Sequence, residues 1–328
     1  MAVLPGTRRG AGPGLDVLVL GEINPDVIVR AADPKPTFGQ VERLVDSIDL
    51  VIGSSSAIFA CGAARLDLRV AFFGVVGDDP LGRLMLDALG ARGIDVSACL
   101  VDPELPTGAS VILTSGTDRA ILTGKGSIGA MDIDALPDTL LRRARHVHSG
   151  HFFLQETSRS RLPAFFASAR ARGISTSFDT NWDPADRWDG DVAEMLGASD
   201  LFFPNAAEAR RLSGFDDVEG AARALARNGH AGRTDDGPIV AVKLGADGAL
   251  ACRAEGPLVR IPAIEVEAVD TTGAGDSFNA GFLAAWLDGR DLTECLRWGV
   301  VAGGLSTRRL GGVDGQPSLL EMRAALAR

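Results

Sequence analysis

Six short apolar runs, each closing on a glycine or a small polar residue, recur along the chain. They read DVLVLG (16–21), RVAFFG (69–74), RHVHSG (145–150), ISTSFD (174–179), DLFFPN (200–205) and PIVAVKLG (238–245). A short run of this kind is the pattern of a strand buried on both faces. Between most of them lie LGRLMLDALGARG, LPAFFASARARG and AAEARRLSG, whose apolar residues return at helical spacing. Strands alternating with helices leave few folds open: a mainly parallel central sheet with helices on both faces. Ligands of such a sheet bind beyond the carboxyl ends of its strands. Asn24, Asp26, Asp179, Asn181 and Asn205 all fall there, and are the first candidates for a site.

Two segments break the rhythm. Residues of about 27–52 and 107–124 read as extended, for example ASVILTSGTDRAILT, with turn residues in the middle. They predict a small β-layer beside the main sheet, a lid over the site through which two copies can pair. The chain from 275 to 309 has a helical pattern. Residues 1–14 lack the apolar core of a signal peptide and read as a disordered leader, which leaves 15–328 as the folded domain. The 328 residues permit one large α/β domain with ample core.

Composition removes several function classes. The formal charge is 33 − 43 = −10, which argues against nucleic acid or an anionic membrane as partner. No apolar run approaches the roughly 18 residues of a membrane span. Cys61, Cys99, Cys252 and Cys295 form no C-x-x-C pair, which suits reduced thiols and a cytoplasmic location. Two motifs tempt other readings. HVHSGH brings His146, His148 and His151 together, but the first two share a strand parity that the third does not, and no Cys or paired carboxylate joins them. GKGSIG (124–129) has the letters of a dinucleotide fingerprint, yet it follows a hairpin pattern instead of opening a βαβ unit.

The richest stretch is DTTGAGDSFNAG (270–281), which runs into the apolar segment FLAAWL. A glycine-rich turn that opens a helix gathers free backbone N–H groups at a positive dipole end, and this suits an anion. Gly273, Ala274 and Gly275 can point such groups at a phosphate, and Asp276 is placed to take a proton from an attacking hydroxyl. At 205–208, Asn205 and Glu208 stand three apart after a strand; as a structural pair they make a helix N-cap with a first-turn acid.

DTTGAGDSFNAG closely resembles the C-terminal signature of the ribokinase (PfkB) family of carbohydrate kinases, D-T-x-G-A-G-D-x-F. GEINPD (21–26), LRVAFFGVVGDDPLGR (68–83), PNAAEA (204–209) and VKLGADGAL (242–250) resemble other segments of that family in the same order. The resemblance implies a ribokinase-like α/β fold with a β-lid and ATP-dependent phosphorylation of a sugar hydroxyl, with Asp276 as general base. It implies substrate contacts at Asn24, Asp26, Gly53, Ser54 and His151. Lys243, Gly245, Gly248 and Asn279 would lie against the nucleotide, and Asn205 and Glu208 would organise Mg²⁺ largely through water. Asp270 and Thr272 match the position of a monovalent cation, K⁺ in the first instance.

Departures from the pattern bear on the substrate. Ser54 stands at the second glycine of the family's G-G-x-x-x-N stretch, and Ile58 at its asparagine. In FDTNWD, Asp183 stands where members specific for acidic sugars often carry arginine. A neutral polyol is therefore expected over a phosphorylated or acidic one. A nucleoside kinase of the same family is the alternative, since Ile58 makes the pocket more apolar. A catalytically silent sugar-binding protein would be expected to lose the base or the glycines, and both are intact.

Overall fold

The computed structural model describes residues 14–115, 118–188 and 191–327; all of the expected leader except Gly14 lies outside them. Its strands are β1 (Leu15–Leu20), β2 (Pro25–Arg30), β3 (Ser47–Ile52), β4 (Val70–Phe73), β5 (Val75–Gly77), β6 (Leu100–Asp102) and β7 (Ala109–Ser115). They continue as β8 (Asp118–Gly124), β9 (Ala144–Ser149), β10 (Ser175–Phe178), β11 (Leu201–Phe202), β12 (Ile239–Lys243), β13 (Ala249–Cys252) and β14 (Val259–Ile261). Each of the six apolar runs holds one strand of a single eight-stranded sheet, in the order β14-β13-β12-β11-β10-β9-β1-β4. The sheet is parallel from β12 to β4. At one edge the pairings β12–β13 and β13–β14 are antiparallel, so β13 alone of the eight strands runs against the rest.

Successive strand residues feed opposite faces, as the twofold period of a strand requires. Val17 and Val19 pack with Phe72, Phe203 and Ala241 against the helices Ser55–Arg65, Ala274–Leu287 and Leu292–Ser306. Leu18 and Leu20 pack with Val147, Phe178 and Val242 against Leu162–Ala171, Val192–Ala198 and Val218–His230. The helical run expected from 275 to 309 is two helices. The break falls at Gly289 (φ 74°) and at Asp291, whose side chain caps the second helix at the Glu294 N–H.

A separate four-stranded sheet, in the order β3-β2-β7-β8, is built from the two segments that break the rhythm. Residues 31–46 between β2 and β3 carry no strand, so the first segment is β only at its two ends. Register sorts its side chains by rung. Asp26, Ser110 and Thr123 share one rung, and Ile28, Ile112 and Ile121 the rung two residues on, so these six face the same way. Val27, Leu50, Val111 and Leu122 face the opposite way. The sheet therefore turns a polar rung and an isoleucine rung to the main body, and apolar side chains outward.

Candidate active site

The turn of DTTGAGDSFNAG delivers its backbone to the start of the helix Ala274–Leu287, with Gly273 as N-cap at φ 70°. No other residue fits at 273: a Cβ there would lie 2.8 Å from both the Gly312 Cα and an Ile58 methyl. Asp276 follows in the first turn, 8% exposed. Lys243, at the end of β12, reaches over this turn; a Cβ on Gly275 would lie 3.4 Å from its Nζ. The Nζ donates to Asp179 Oδ2 at 2.5 Å, and Asn279 Nδ2 donates to the same oxygen at 2.7 Å.

One cation thus stands among several buried carboxylates, and their proton affinities record it. Burial, and then the negative charge of Asp179, hold the Asp276 carboxyl well above the usual carboxylate range; Lys243 opposes this and Glu22 and Glu208 add to it. The same two causes, burial first, push Glu208 up to about 7. For Lys243, burial favours the neutral amine, but Asp179, Glu208 and Asp276 outweigh it and raise its proton affinity above that of an ordinary lysine.

Two cavities meet at this point. The first, of about 410 Å³, is lined by Asn24, Asp26, Ser54, His151, Asn181 and Asp276 under the inner face of the small sheet. The second, of about 400 Å³, has Gly248 and Ala274 in its wall and an apolar side built from Ile264, Val266, Phe278 and Val300. Lys243, Gly245 and Gly275 line both. Asn205, Glu208, Thr272 and Gly273 lie in the wall of the first.

Asn205 and Glu208 form a capping box at the start of the helix Ala206–Ser213. Both Glu208 oxygens are taken by Asn205, which donates from its backbone N at 2.8 Å and from Nδ2 at 2.6 Å. Asp270 is also committed to backbone, accepting from the Thr272 and Gly311 N–H groups at 2.9 Å each.

Several expected residues sit differently from their sequence reading. Asn279 faces neither cavity; it is fully buried and serves Asp179 from below. Gly53 is absent from the cavity wall, and its lack of a side chain makes room for Asp26, whose Oδ1 would lie 2.2 Å from a Cβ. Asp183 turns inward and accepts from the Ala185, Arg187 and Trp188 N–H groups, so it closes a turn. Its carboxyl is buried and yet held below the usual range by those bonds. His146 and His148 are buried in β9 with ring nitrogens bonded to Ser175 and Ser177, while His151 stands apart at φ 49°.

Ser54 has an unusual backbone for a residue with a Cβ, φ 66° and ψ 122°, which costs about 1–3 kcal/mol. Its hydroxyl holds it there by donating to the Glu22 carbonyl at 2.6 Å and accepting from the Ala57 N–H at 3.0 Å. The strained position is the one where the resembling family carries glycine. Glu22 lines the first cavity and was not among the residues that the sequence singled out. It stands in GEINPD beside Asn24 and Asp26, but nothing local distinguishes a buried charge from a strand-end turn.

Comparison with known proteins matches residues 15–319 to the pfkB family carbohydrate kinase model. The chain belongs to the pfkB family of carbohydrate kinases. It is 31% identical, over 90% of its length and 93% of the relative's, to the ATP-dependent ribose-1-phosphate kinase of Halopiger xanaduensis. Among solved structures, adenosine kinase from Sinorhizobium meliloti superposes with a TM-score of 0.80 and 25% identity, covering 96% of this chain and 99% of that one. Arabidopsis thaliana ribokinase, solved with ribose and ATP, also gives 0.80, at 23% identity and 96% and 99% coverage, and shares the fold. The pfkB fold accounts for both sheets, the large parallel one and the small one above the first cavity.

Proposed function

We propose that this ATP-dependent carbohydrate kinase transfers the γ-phosphoryl group of ATP to a hydroxyl of an uncharged sugar or sugar-like acceptor. The observation that carries the reading is the junction of the two cavities at Lys243, Gly245 and Gly275, with Asp276 on the acceptor side. The apolar second cavity takes the nucleotide, and its triphosphate points at the N–H groups of Gly273, Ala274 and Gly275, of which that of Ala274 also donates to the Thr271 carbonyl at 3.2 Å. Asp276 accepts the proton of the acceptor hydroxyl as its oxygen bonds to phosphorus and the bond to the ADP oxygen breaks. Lys243 and the N–H groups stabilise charge on the group in transit.

The acceptor lies between Asn24, Asp26, Asn181 and His151, roofed by the inner face of the small sheet, which acts as a lid. Among the described residues of that cavity, Lys243 is the one lysine or arginine, and Asp179 already engages it. A phosphate or carboxylate on the acceptor therefore meets no dedicated cation. Ile58, Ile112, Ile121 and Ile128 in the same wall favour a second reading, a nucleoside whose base lies on the apolar side. In a screen with ATP, turnover is expected with D-ribose, a neutral hexose or adenosine. Turnover confined to ribose 1-phosphate or sugar acids would overturn the acceptor class, and none with any acceptor would favour a silent binding protein.

Mg²⁺ would accompany ATP and neutralise phosphate charge. Because both Glu208 oxygens are bonded to Asn205, the pair suits a hydrated ion held through water better than direct ligation. Glu208→Gln is expected to raise the Mg²⁺ concentration needed for half-maximal rate and to lower kcat, with melting temperature retained. A magnesium titration identical to wild type removes the assignment. Asp270 and Thr272 are proposed to hold K⁺ beside the turn. The outward apolar rows of the small sheet, Leu50 and Leu122 among them, are proposed as a homodimer surface. Among the described residues no helix is long and apolar enough to cross a membrane, and the free cysteines accord with a proposed cytoplasmic location.

A further inference from the structure

We infer that Glu22 is a specificity-determining residue of the acceptor cavity: its buried carboxylate holds His151 in place and rejects phosphorylated and carboxylated acceptors. This rests on the proposed acceptor reading and names the residue behind it. Glu22 follows β1, is 3% exposed and lines the first cavity. Its Oε2 accepts from Ser56 Oγ at 2.9 Å and from Gln155 Nε2 at 3.1 Å. Its Oε1 accepts from the Ser56 N–H at 3.3 Å and lies 3.7 Å from His151 Nδ1.

Every one of these groups offers a proton, so a protonated carboxyl would set its own O–H against a donor. Burial alone would raise the pKa of Glu22, but His151 and Ser56 outweigh it and hold the carboxyl below its usual range. The hub is also sterically built. A Cβ on Gly21 would lie 2.0 Å from Ser56 Oγ, so the glycine is what lets that hydroxyl reach the carboxylate.

Two consequences follow for the acceptor. Glu22 Oε1 faces His151 Nδ1 at 3.7 Å, so the carboxylate orients the ring in the cavity wall and favours a proton on that nitrogen. Glu22 also adds a fixed negative charge to a wall that already carries Asp26, Glu208 and Asp276, where Lys243 is tied to Asp179. A neutral polyol supplies hydroxyl protons to such a wall; an anion is repelled.

Glu22→Gln tests the charge with little loss of shape. Its new amide can donate to Gln155, whose Oε1 has no partner among the described residues, once that side chain turns over. His151→Asn is the second variant, because asparagine tolerates φ 49°. Steady-state kinetics with D-ribose, adenosine, ribose 1-phosphate and 2-dehydro-3-deoxygluconate are compared for wild type, both single variants and the double. For the better neutral acceptor, Glu22→Gln should raise KM at least about tenfold, more than it lowers kcat, with the KM of ATP little changed. The ratio of kcat/KM for anionic over neutral acceptors should rise at least about tenfold. Because Glu22 acts through His151, the double variant should lose less on the neutral acceptor than the product of the two single losses.

An unchanged KM and an unchanged ratio in a normally melting Glu22→Gln overturn the inference, as do strictly multiplicative losses. Should that variant not fold, His151→Asn carries the test alone, and an unaltered KM for the neutral acceptor overturns it. A wild type that phosphorylates only the anionic probes defeats the acceptor reading itself, before any variant is made. A wild type active on neutral acceptors with indifferent variants defeats this inference and leaves that reading intact.

Discussion

Asp276→Asn is expected to lower kcat by about 10²- to 10⁴-fold, the usual contribution of general base catalysis, while the protein melts no lower than wild type. The amide keeps the size of the side chain and takes away the proton acceptor. ATP affinity should hold or rise slightly, since the N–H groups of Gly273, Ala274 and Gly275 stay in place and one negative charge near the γ-phosphate is gone. A turn that merely opened a core helix would tolerate the exchange, with turnover unchanged.

The stability half of this expectation comes from linkage. Burial and the charge of Asp179 raise the Asp276 pKa in the folded protein, so the folded state holds its proton more tightly than the unfolded chain does. That preference favours folding fully below the unfolded value of about 3.9, and is lost as pH rises through the folded value. At neutral pH and above, wild type therefore bears the cost of a buried carboxyl that wants its proton, and asparagine relieves it. The variant should melt at or above wild type at pH 7–8, and the gap should close toward pH 4. In the same picture wild-type kcat/KM rises with pH as Asp276 ionises. The catalytic assignment would be falsified if the variant kept more than about a tenth of wild-type turnover.

Fold and site were legible to different depths. The parallel sheet could be read because β1, β4, β11 and β12 are buried on both faces and carry apolar runs, while β9 (ARHVHS) and β10 (STSF) repeat their length and small or polar ending. The antiparallel edge was harder: β14 (VRI) is three residues of mixed exposure and gives no periodic signal of its own. In the site, the glycine turn was visible because backbone geometry restricts residue choice, and Gly273 at φ 70° against Gly312 is such a restriction. Partners distant in sequence were not visible. Asp179 is bonded to Lys243 across 64 residues and to Asn279 across 100, and no local pattern carries that pairing. Asn279 lies on the same helix face as Gly275 but one turn deeper, where it is buried against Asp179 instead of meeting a nucleotide. Glu22 was passed over because its donors, Ser56 and Gln155, lie 34 and 133 residues away.

Lys243→Met should be the most destabilising of the site substitutions, and more so at pH 8 than at pH 6. Its ammonium is the cation that Asp179, Glu208 and Asp276 all act on, its side chain is 14% exposed, and the contact to Asp179 is 2.5 Å. Methionine fills much of the stem's volume but leaves those carboxylates facing one another without a counter-charge. Removing one partner of a buried pair typically costs about 3–5 kcal/mol. For a domain of this size that lowers the melting temperature by roughly 5–10 °C. Acid should rescue it in part: with the cation gone, Asp276 takes up a proton at still higher pH, and a neutral carboxyl needs no partner. Function should fail for a separable reason, since the γ-phosphate loses its only side-chain cation among the described residues at the cavity junction. The KM of ATP is expected to rise and kcat to fall even at pH 6, where the fold is largely recovered. Melting curves at both pH values, set beside ATP kinetics at pH 6, separate the two roles. Equal melting of variant and wild type at pH 8 would show that Lys243 does not neutralise the cluster, and wild-type ATP kinetics would show that it does not meet the phosphate.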